Sequence, residues 1–445
     1  MKVAVIGAGI IGVTTAYELS ADGHEVTVFE RRGSVAAETS FANAGVIAPG
    51  YVTPWAAPGM PMKVLGHLMS RHAPVRVRGL PLGAVPWLWR WWRACRLRTY
   101  QANRLRMQRL ATFSRDRLHA LTATLKLDYE RSDGYLVLLR TPKDLAMVQP
   151  GLASLTALNT RFDTLDAAQC RIVEPGLNAD MPLHAGIHLP NDEVGNCRQF
   201  THLLRAEAQR LGARFRFHTT VQRIVPGASP QLVHLSAPPH EHSTLVASAE
   251  AWDAQDTQPM EARAVTEDFD AVVVCAALDS AVLLKPHGLK LPLQAVYGYS
   301  ITAPLRQHEG RADHGPRSAL MDERYKVAIS RLGARVRVAG SAEIGGSATR
   351  HHPGALDTLY KVLHDWFPGS AHMSQAQRWK GARPMLPDGP PVLGRSGIAG
   401  VWLNLGHGSS GWALSCGSAR LLADAINGRP PAIDTDGLGV ERLGD

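Results

Sequence analysis

Apolar positions in this chain alternate between short unbroken runs and longer helical periods. Val3 to Ile6 is an unbroken apolar run, the length of a buried parallel strand. A helical pattern follows from about Ile10 to Ser20, and Gly23 ends it. Glu25 to Phe29 reads as a second strand. Val64 to His72 and Pro86 to Arg98 read as helices, and Thr99 to Leu125 as one or two longer ones. Tyr135 to Arg140 is strand-like and leads into a helix-like segment. Phe200 to Leu211 is a helix closed by Gly212, with a strand at Ala213 to Thr220. Ala271 to Cys275 is a short buried strand. Strands then dominate: Val296 to Thr302, Lys326 to Arg331 and Arg335 to Ala339, with a helix at Leu356 to Trp366. Val401 to Asn404 is a last strand, before a helix that runs to Ile426. Residues 226–268 stand apart, rich in Pro, Ser, Ala, His and Gln, and read as a flexible surface insertion.

The first strand ends in a glycine pattern. Gly7, Gly9 and Gly12 fit G-x-G-x-x-G between strand and helix. Gly7 permits the turn, Gly9 lets backbone approach a pyrophosphate, and Gly12 lets helix lie close on strand. Ile10 and Ile11 open the helix, whose free N–H groups suit a phosphate. Glu30 ends the second strand, eighteen residues after Gly12, where a carboxylate accepts ribose hydroxyls. That acid argues against a 2′-phosphate and hence against NADP. The motif alone leaves NAD and FAD open.

Length and ordinary hydrophobic content fit a globular chain of two domains. No apolar stretch reaches the ~18 residues of a membrane span, and the N-terminal run is not read as a signal peptide. Five scattered cysteines without C-x-x-C suggest reduced thiols in a cytosol, with no zinc site or disulfide framework. Charge changes the picture. Between Glu38 and Asp116 there is no acid, but Lys63 and eleven arginines. The rest of the chain, 36 cations against 39 acids, is net −3. Within this window Trp87, Leu88, Trp91, Trp92 and Cys95 share one helical face, and Arg90, Arg93 and Arg96 fall opposite, with Trp89 among them. Two readings stay open: a core helix with a solvated basic face, or an interfacial helix that meets anionic lipid.

Thr39 to Gly59, T-S-F-A-N-A-G-V-I-A-P-G-Y-V-T-P-W-A-A-P-G, closely resembles the FAD-dependent D-amino acid dehydrogenases, within the D-amino acid oxidase and glycine oxidase superfamily. The resemblance continues at Leu189 to Gly195, Tyr325 to Arg331, Arg383 to Gly389, and Gly406-His407-Gly408. It covers most of the chain in order and implies FAD, held non-covalently. The fold it implies is α/β and α+β: a discontinuous Rossmann-like FAD-binding domain (1–50, 165–285 and 385–430) and a mixed-sheet substrate domain (51–164 and 286–384). Around the cofactor it implies Arg31, Arg32, Thr39, Ser40, Asn43, Ala44 and Gly45 on one loop, Val221 at the adenine, and Ala276. At the flavin's reducible end it implies Gly406, His407, Gly408 and Gly411, at the start of a helix. Where the superfamily usually has glycine two residues after Cys275, this chain has Ala277.

The implied chemistry is oxidation of a D-amino acid to an imino acid, hydrolysed to a 2-oxo acid and ammonia, with electrons passed to a quinone or carrier. No metal and no nucleophile are expected. A buried carboxylate wants a planar guanidinium; Arg331 and Arg383 are the expected clamps. Tyr297 and Tyr299 stand two apart on a strand and so share a face, which makes them candidates to cap the carboxylate or amine. The expected location is cytoplasmic, with residues 63–115 as a peripheral docking face on the inner membrane surface; the sequence sets no oligomeric state. Two further readings stay open: a glycine or sarcosine-type amine oxidase on the same fold, and a flavoprotein docking nucleic acid through 63–115. The second wants aromatics interleaved with arginines, which Trp89 and Tyr100 supply only in part, so no nucleic-acid partner is expected.

Overall fold

Successive residues of the strand Lys2–Ile6 face opposite ways, and both faces are covered. Val3 and Val5 join a core with helices Ile10–Ala21, Leu97–Leu125, Cys197–Arg210 and Gly411–Ile426. Ala4 and Ile6 join another with Ile224, Leu232 and Phe269. A strand buried on both sides has no need of alternation, which is why the run is apolar throughout. The computed structural model describes residues 1–67, 72–79, 82–236, 263–307 and 314–444. It places this strand inside a six-stranded sheet. Across that sheet run Val392–Arg395, Val401–Leu405, Ala271–Val274, Lys2–Ile6, Glu25–Phe29 and Arg214–Arg216. All pairs are parallel except the one at the Val392–Arg395 edge. Strands from distant parts of the chain thus meet in one sheet, as expected for a discontinuous α/β layer.

A ten-stranded mixed sheet forms the second layer. Its main order is Gln377–Met385, Gln294–Pro304, Arg335–Gly345, Val327–Leu332, Ala319–Asp322, Ser132–Leu139, Ala185–Val194 and Val46–Ile47. Val75–Arg78 and Asp163–Asp166 pair alongside. One face packs on helix Pro353–Trp366 through Tyr299, Ile301, Val327, Ile329, Val336 and Val338. The alternate positions of the same strands face the other way, toward the six-stranded layer.

Several expectations are corrected here. Val46–Ile47 and Ala185–Val194, expected in the cofactor layer, pair in the ten-stranded sheet. Leu97–Leu125, expected in the substrate domain, is one helix whose Met107, Leu110, Leu118 and Leu121 pack into the cofactor-layer core. The expected insertion 226–268 is not all loop. Gln231–Ser236 and Arg263–Asp268 are strands of a three-stranded sheet with Thr219–Val225, and 237–262 lie outside the described residues. The strand expected at Ala213 to Thr220 is two, Arg214–Arg216 and Thr219–Val225, with His218 between them at φ +51°. Of the helix expected at Val64 to His72, Met60–His67 is observed, and 68–71 lie outside the described residues.

Asp192 lies beneath the turn at Gly50. Gly50 N–H reaches its Oδ1 at 3.4 Å, while Oδ2 is buried without a hydrogen-bond partner among the described residues. Burial pushes this carboxyl up to about 7. The folded state therefore holds a proton that the unfolded state releases from about pH 4 upward, so stability falls between about pH 4 and 7. Asp192→Asn removes the charge and is expected to raise the urea midpoint at about pH 8 but not at about pH 4. An equal shift at both would contradict this.

Candidate active site

The first turn is held by contact. A Cβ on Gly12 would lie 1.8 Å from the Gly7 carbonyl oxygen, and one on Gly7, at φ +102°, would lie 2.7 Å from that of Cys275. Gly9 has room: its added Cβ would meet only Ser40 Oγ, at 3.4 Å. Ser40 Oγ accepts the Ile10 N–H at 3.0 Å, and the first intrahelical bond is Val13 N–H to Gly9 O. The N–H groups of Ile11 and Gly12 are left without intrahelical acceptors, as a phosphate site needs. Glu30 receives Ala8 N–H on Oε2 and Arg32 N–H on Oε1, both at 2.8 Å. Each carboxylate oxygen keeps a lone pair for a ribose hydroxyl.

These residues open onto a cleft of about 1860 Å³ bounded by both sheets. That is roughly twice the upper size of an ordinary ligand pocket, ~1,000 Å³. Gly7, Gly9, Ile10, Ile11, Glu30, Arg31, Thr39, Ser40, Asn43, Ala44, Gly45, Val221, Ala276, Gly406, His407, Gly408, Gly411 and Arg383 all line it. Gly12 and Arg32 do not. Gly12 packs on the Gly7 turn, and the Arg32 side chain turns out to Glu38. Arg31 pairs with Glu38 and Asp279. Ala277 also lines the cleft at φ +49°, a left-handed geometry that favours glycine.

Residues 39–45 are tied down from behind. The carbonyls of Ala42, Asn43, Ala44 and Gly45 accept from Ser300 Oγ, Arg337 Nη1, Ser330 Oγ and Trp412 Nε1, at 2.8, 3.1, 2.7 and 3.1 Å. Thr39 Oγ1 donates to Ala382 O at 2.7 Å, next to Arg383. The loop's backbone is thereby fixed on the cleft wall by both layers. Arg337, buried and bonded also to Thr302 Oγ1, is pushed down to about 10 by burial. His407 is buried with Nε2 on Ser418 Oγ at 3.0 Å, and burial pushes it down to about 3, so it is neutral. Gly406 at φ +77° and Gly408 at φ +55° shape the approach to helix Gly411–Ile426.

The four residues expected to handle substrate separate. Arg383 enters the cleft. Its Nη1 donates to Ser341 O at 2.9 Å, and burial alone pushes it down to about 10. Its guanidinium lies across Gly298, where a Cβ would sit 2.3 Å from Nη2. Arg331 is a correction. It alternates with the cleft-lining Ala328, and its Nη1 bonds Pro316 O at 3.3 Å on the far side of the sheet. Tyr297 and Tyr299 are corrected for the same reason. Tyr297 does not line the cleft. Tyr299 borders it, but its ring joins the core under helix Pro353–Trp366, and its hydroxyl donates to Glu343. Lys380 Nζ meets that carboxylate at 2.8 Å and lies 4.4 Å from the Tyr297 ring centre.

Gly298 and Ser341 were missed. Gly298 had a signal, a glycine between strand tyrosines, which marks close approach. Ser341 had none. It sits at φ +58° where the pairing of Gln294–Pro304 with Arg335–Gly345 shifts register, a β-bulge that turns its carbonyl onto Arg383.

The turn, the acid, the tethered loop and the cleft volume fit FAD: Ile11 N–H and Glu30 could hold the nucleotide, and residues 39–45 and 406–411 could hold the flavin. A family model for FAD dependent oxidoreductases matches residues 2–425, and the chain belongs to that family. Among curated relatives it is 43% identical to a D-amino acid dehydrogenase of Cereibacter sphaeroides, over 99% of this chain and 95% of the relative. It is 43% identical to another from Rhizorhabdus wittichii, over 99% and 100%. In fold it is similar to a glycine oxidase from Geobacillus kaustophilus, TM-score 0.71 at 19% identity, covering 98% of this chain and 97% of that one.

Proposed function

We propose that this chain oxidises D-amino acids to imino acids, which water hydrolyses to 2-oxo acids and ammonia, and that the electrons leave to a quinone or another carrier. The observation that carries the reading is Arg383, a guanidinium inside the cleft with no acid paired to it among the described residues. Ser341 O takes one of its donors. The rest of the fork is available to a substrate carboxylate, which then cannot rotate. FAD, when bound, accepts a hydride from the substrate Cα. The N-terminus of helix Gly411–Ile426 opens onto the cleft and supplies N–H dipoles for developing negative charge. His407 stays neutral and is held against this helix at Ser418, about two turns from its start. An amine that arrives neutral needs no protein base. With an artificial electron acceptor, D-amino acids should yield 2-oxo acid and ammonia one for one. Turnover confined to glycine or sarcosine would replace this reading with that of a secondary-amine oxidase.

The acid-free window supports a peripheral docking face on an anionic inner-membrane surface. Of the shared apolar face, Trp87 and Trp91 are buried, while Trp92 is 49% exposed and stacks on Trp89, 58% exposed, at 5.1 Å. Met62, Val85, Leu97 and Leu105 are also exposed, beside exposed Arg93, Arg96 and Arg98. Arg90 instead donates to Leu443 O at 2.8 Å. No helix among the described residues is long and apolar enough to cross a membrane; the contact proposed is with the surface. A cation near such a surface contributes about 1 kcal/mol. Wild-type protein should float with anionic liposomes, and replacing Trp89, Trp92 and Arg93 by serine should release it. Flotation unchanged by that triple variant would leave these residues as an ordinary solvated face.

A further inference from the structure

Arg383 stands at one end of a floor that continues across the ten-stranded sheet. Ala339 faces Ala328 across the strands, Ala328 faces Met321, Met321 faces Val137, and Val137 faces Ile187. All five line the cleft. With strands ~4.8 Å apart, the row spans about 19 Å. Near Arg383 the floor is small: Gly298, Ala339 and Ala328 leave height above the sheet. Farther out it rises through Met321 to Val137 and Ile187. Val148, Leu152 and Leu155 of helix Pro142–Ala157 pack against this far part and also line the cleft. The result is an apolar chamber that starts beside the arginine.

The polar groups of this chamber point the same way. Tyr51 OH donates to Glu323 Oε2 at 2.7 Å, and Lys326 pairs with the same carboxylate, so that end is charge-balanced. Arg324 and Lys143 also line the cleft, but they are exposed, and the buried Arg104 donates to Gly151 O at 3.1 Å and to the Tyr100 hydroxyl at 3.4 Å. Tyr135 is different. Its hydroxyl is buried and has no hydrogen-bond partner among the described residues. A ligand side chain ending in a weak acceptor would satisfy it.

We propose that this chamber receives the substrate side chain, and that the chain acts on D-amino acids with long apolar or aromatic side chains in preference to D-alanine and D-glutamate. The inference rests on the reading that Arg383 holds the substrate carboxylate, since that contact directs the side chain over Ala339 and Ala328. One buried methylene is worth roughly 10-fold or more in discrimination, so D-methionine and D-phenylalanine should exceed D-alanine by at least about tenfold.

The test uses the FAD-loaded protein with two readouts. Anaerobic stopped-flow gives the flavin reduction rate constant over Kd for D-methionine, D-phenylalanine, D-alanine and D-glutamate. Flavin absorbance perturbation gives Kd for unreactive 3-phenylpropanoate and propanoate. Ala328→Leu and, separately, Ala339→Val fill the start of the chamber. Either should cut the D-phenylalanine to D-alanine ratio by about tenfold and reduce the preference for 3-phenylpropanoate to a similar degree. Flavin content checks the fold of each variant. A wild type that favours D-alanine, or variants that leave both ratios unchanged, would overturn the chamber assignment. If no D-amino acid reduces the flavin while the carboxylates still discriminate, the oxidation reading fails and the chamber stands.

Discussion

Replacing Arg383 by alanine is expected to lower kcat/KM for a D-amino acid by about 10²–10³-fold, with FAD retained. Removing one partner of a buried charge pair costs roughly 3–5 kcal/mol, and that loss reads directly in kcat/KM. On the proposed reading the guanidinium does two things that alanine cannot. It replaces the water a carboxylate loses on entering the cleft, and it fixes the carboxylate plane and with it the direction of the Cα–H bond. Arg383→Lys should recover little, because a point charge cannot form two parallel bonds while one donor stays on Ser341 O. Arg331→Ala should stay close to wild type in kcat/KM, since its side chain bonds Pro316 O away from the cleft. Steady-state kinetics with flavin content checked by absorbance decides the matter. A severe loss at Arg331 with a mild one at Arg383 would reverse the assignment.

Gly12→Ala should cost the protein its FAD and much of its stability together. The new Cβ, 1.8 Å from the Gly7 carbonyl oxygen, must push the turn off the helix. Overpacking of this kind costs about 1–3 kcal/mol or more, and the displaced turn is the one proposed to present N–H groups to the pyrophosphate. Gly9→Ala separates the two effects. Its Cβ meets ordinary van der Waals contact with Ser40 Oγ at 3.4 Å, so the apoprotein should melt like wild type while FAD affinity falls. Melting curves of apoprotein with and without added FAD would check both variants. Full FAD occupancy in Gly12→Ala would remove this turn from the nucleotide site.

These glycines were legible because their partners are near in sequence: the turn, helix and acid lie within thirty residues. The loop at 39–45 was legible as a candidate cofactor contact but not as a tethered one. Its four carbonyl donors, Ser300, Arg337, Ser330 and Trp412, come from 258 or more residues away, and no local pattern marks them. The choice between Arg331 and Arg383 was open for a different reason. Both faces of the strand Val327–Leu332 are buried apart from Arg331 itself, so period-two alternation separates Ala328 and Ser330 from Val327, Ile329 and Arg331 without saying which set meets the cleft. Tyr297 and Tyr299 show the same limit: their shared face follows from spacing, and its direction does not. The bulge at Ser341 depends on register with a strand some forty residues earlier. The domain boundaries failed where the helix Leu97–Leu125 crosses back onto the cofactor layer, a packing choice that its own pattern does not encode.

The most direct measurement is anaerobic titration of the yellow, FAD-loaded protein with the two enantiomers of one amino acid, D- and L-methionine, followed by flavin absorbance. A carboxylate clamped on Arg383 beside the flavin predicts complete bleaching by the D enantiomer, none by the L enantiomer, and bleaching slowed at least about 10²-fold in Arg383→Ala. Equal bleaching by both enantiomers, or D-methionine bleaching as fast in Arg383→Ala as in wild type, would contradict the account.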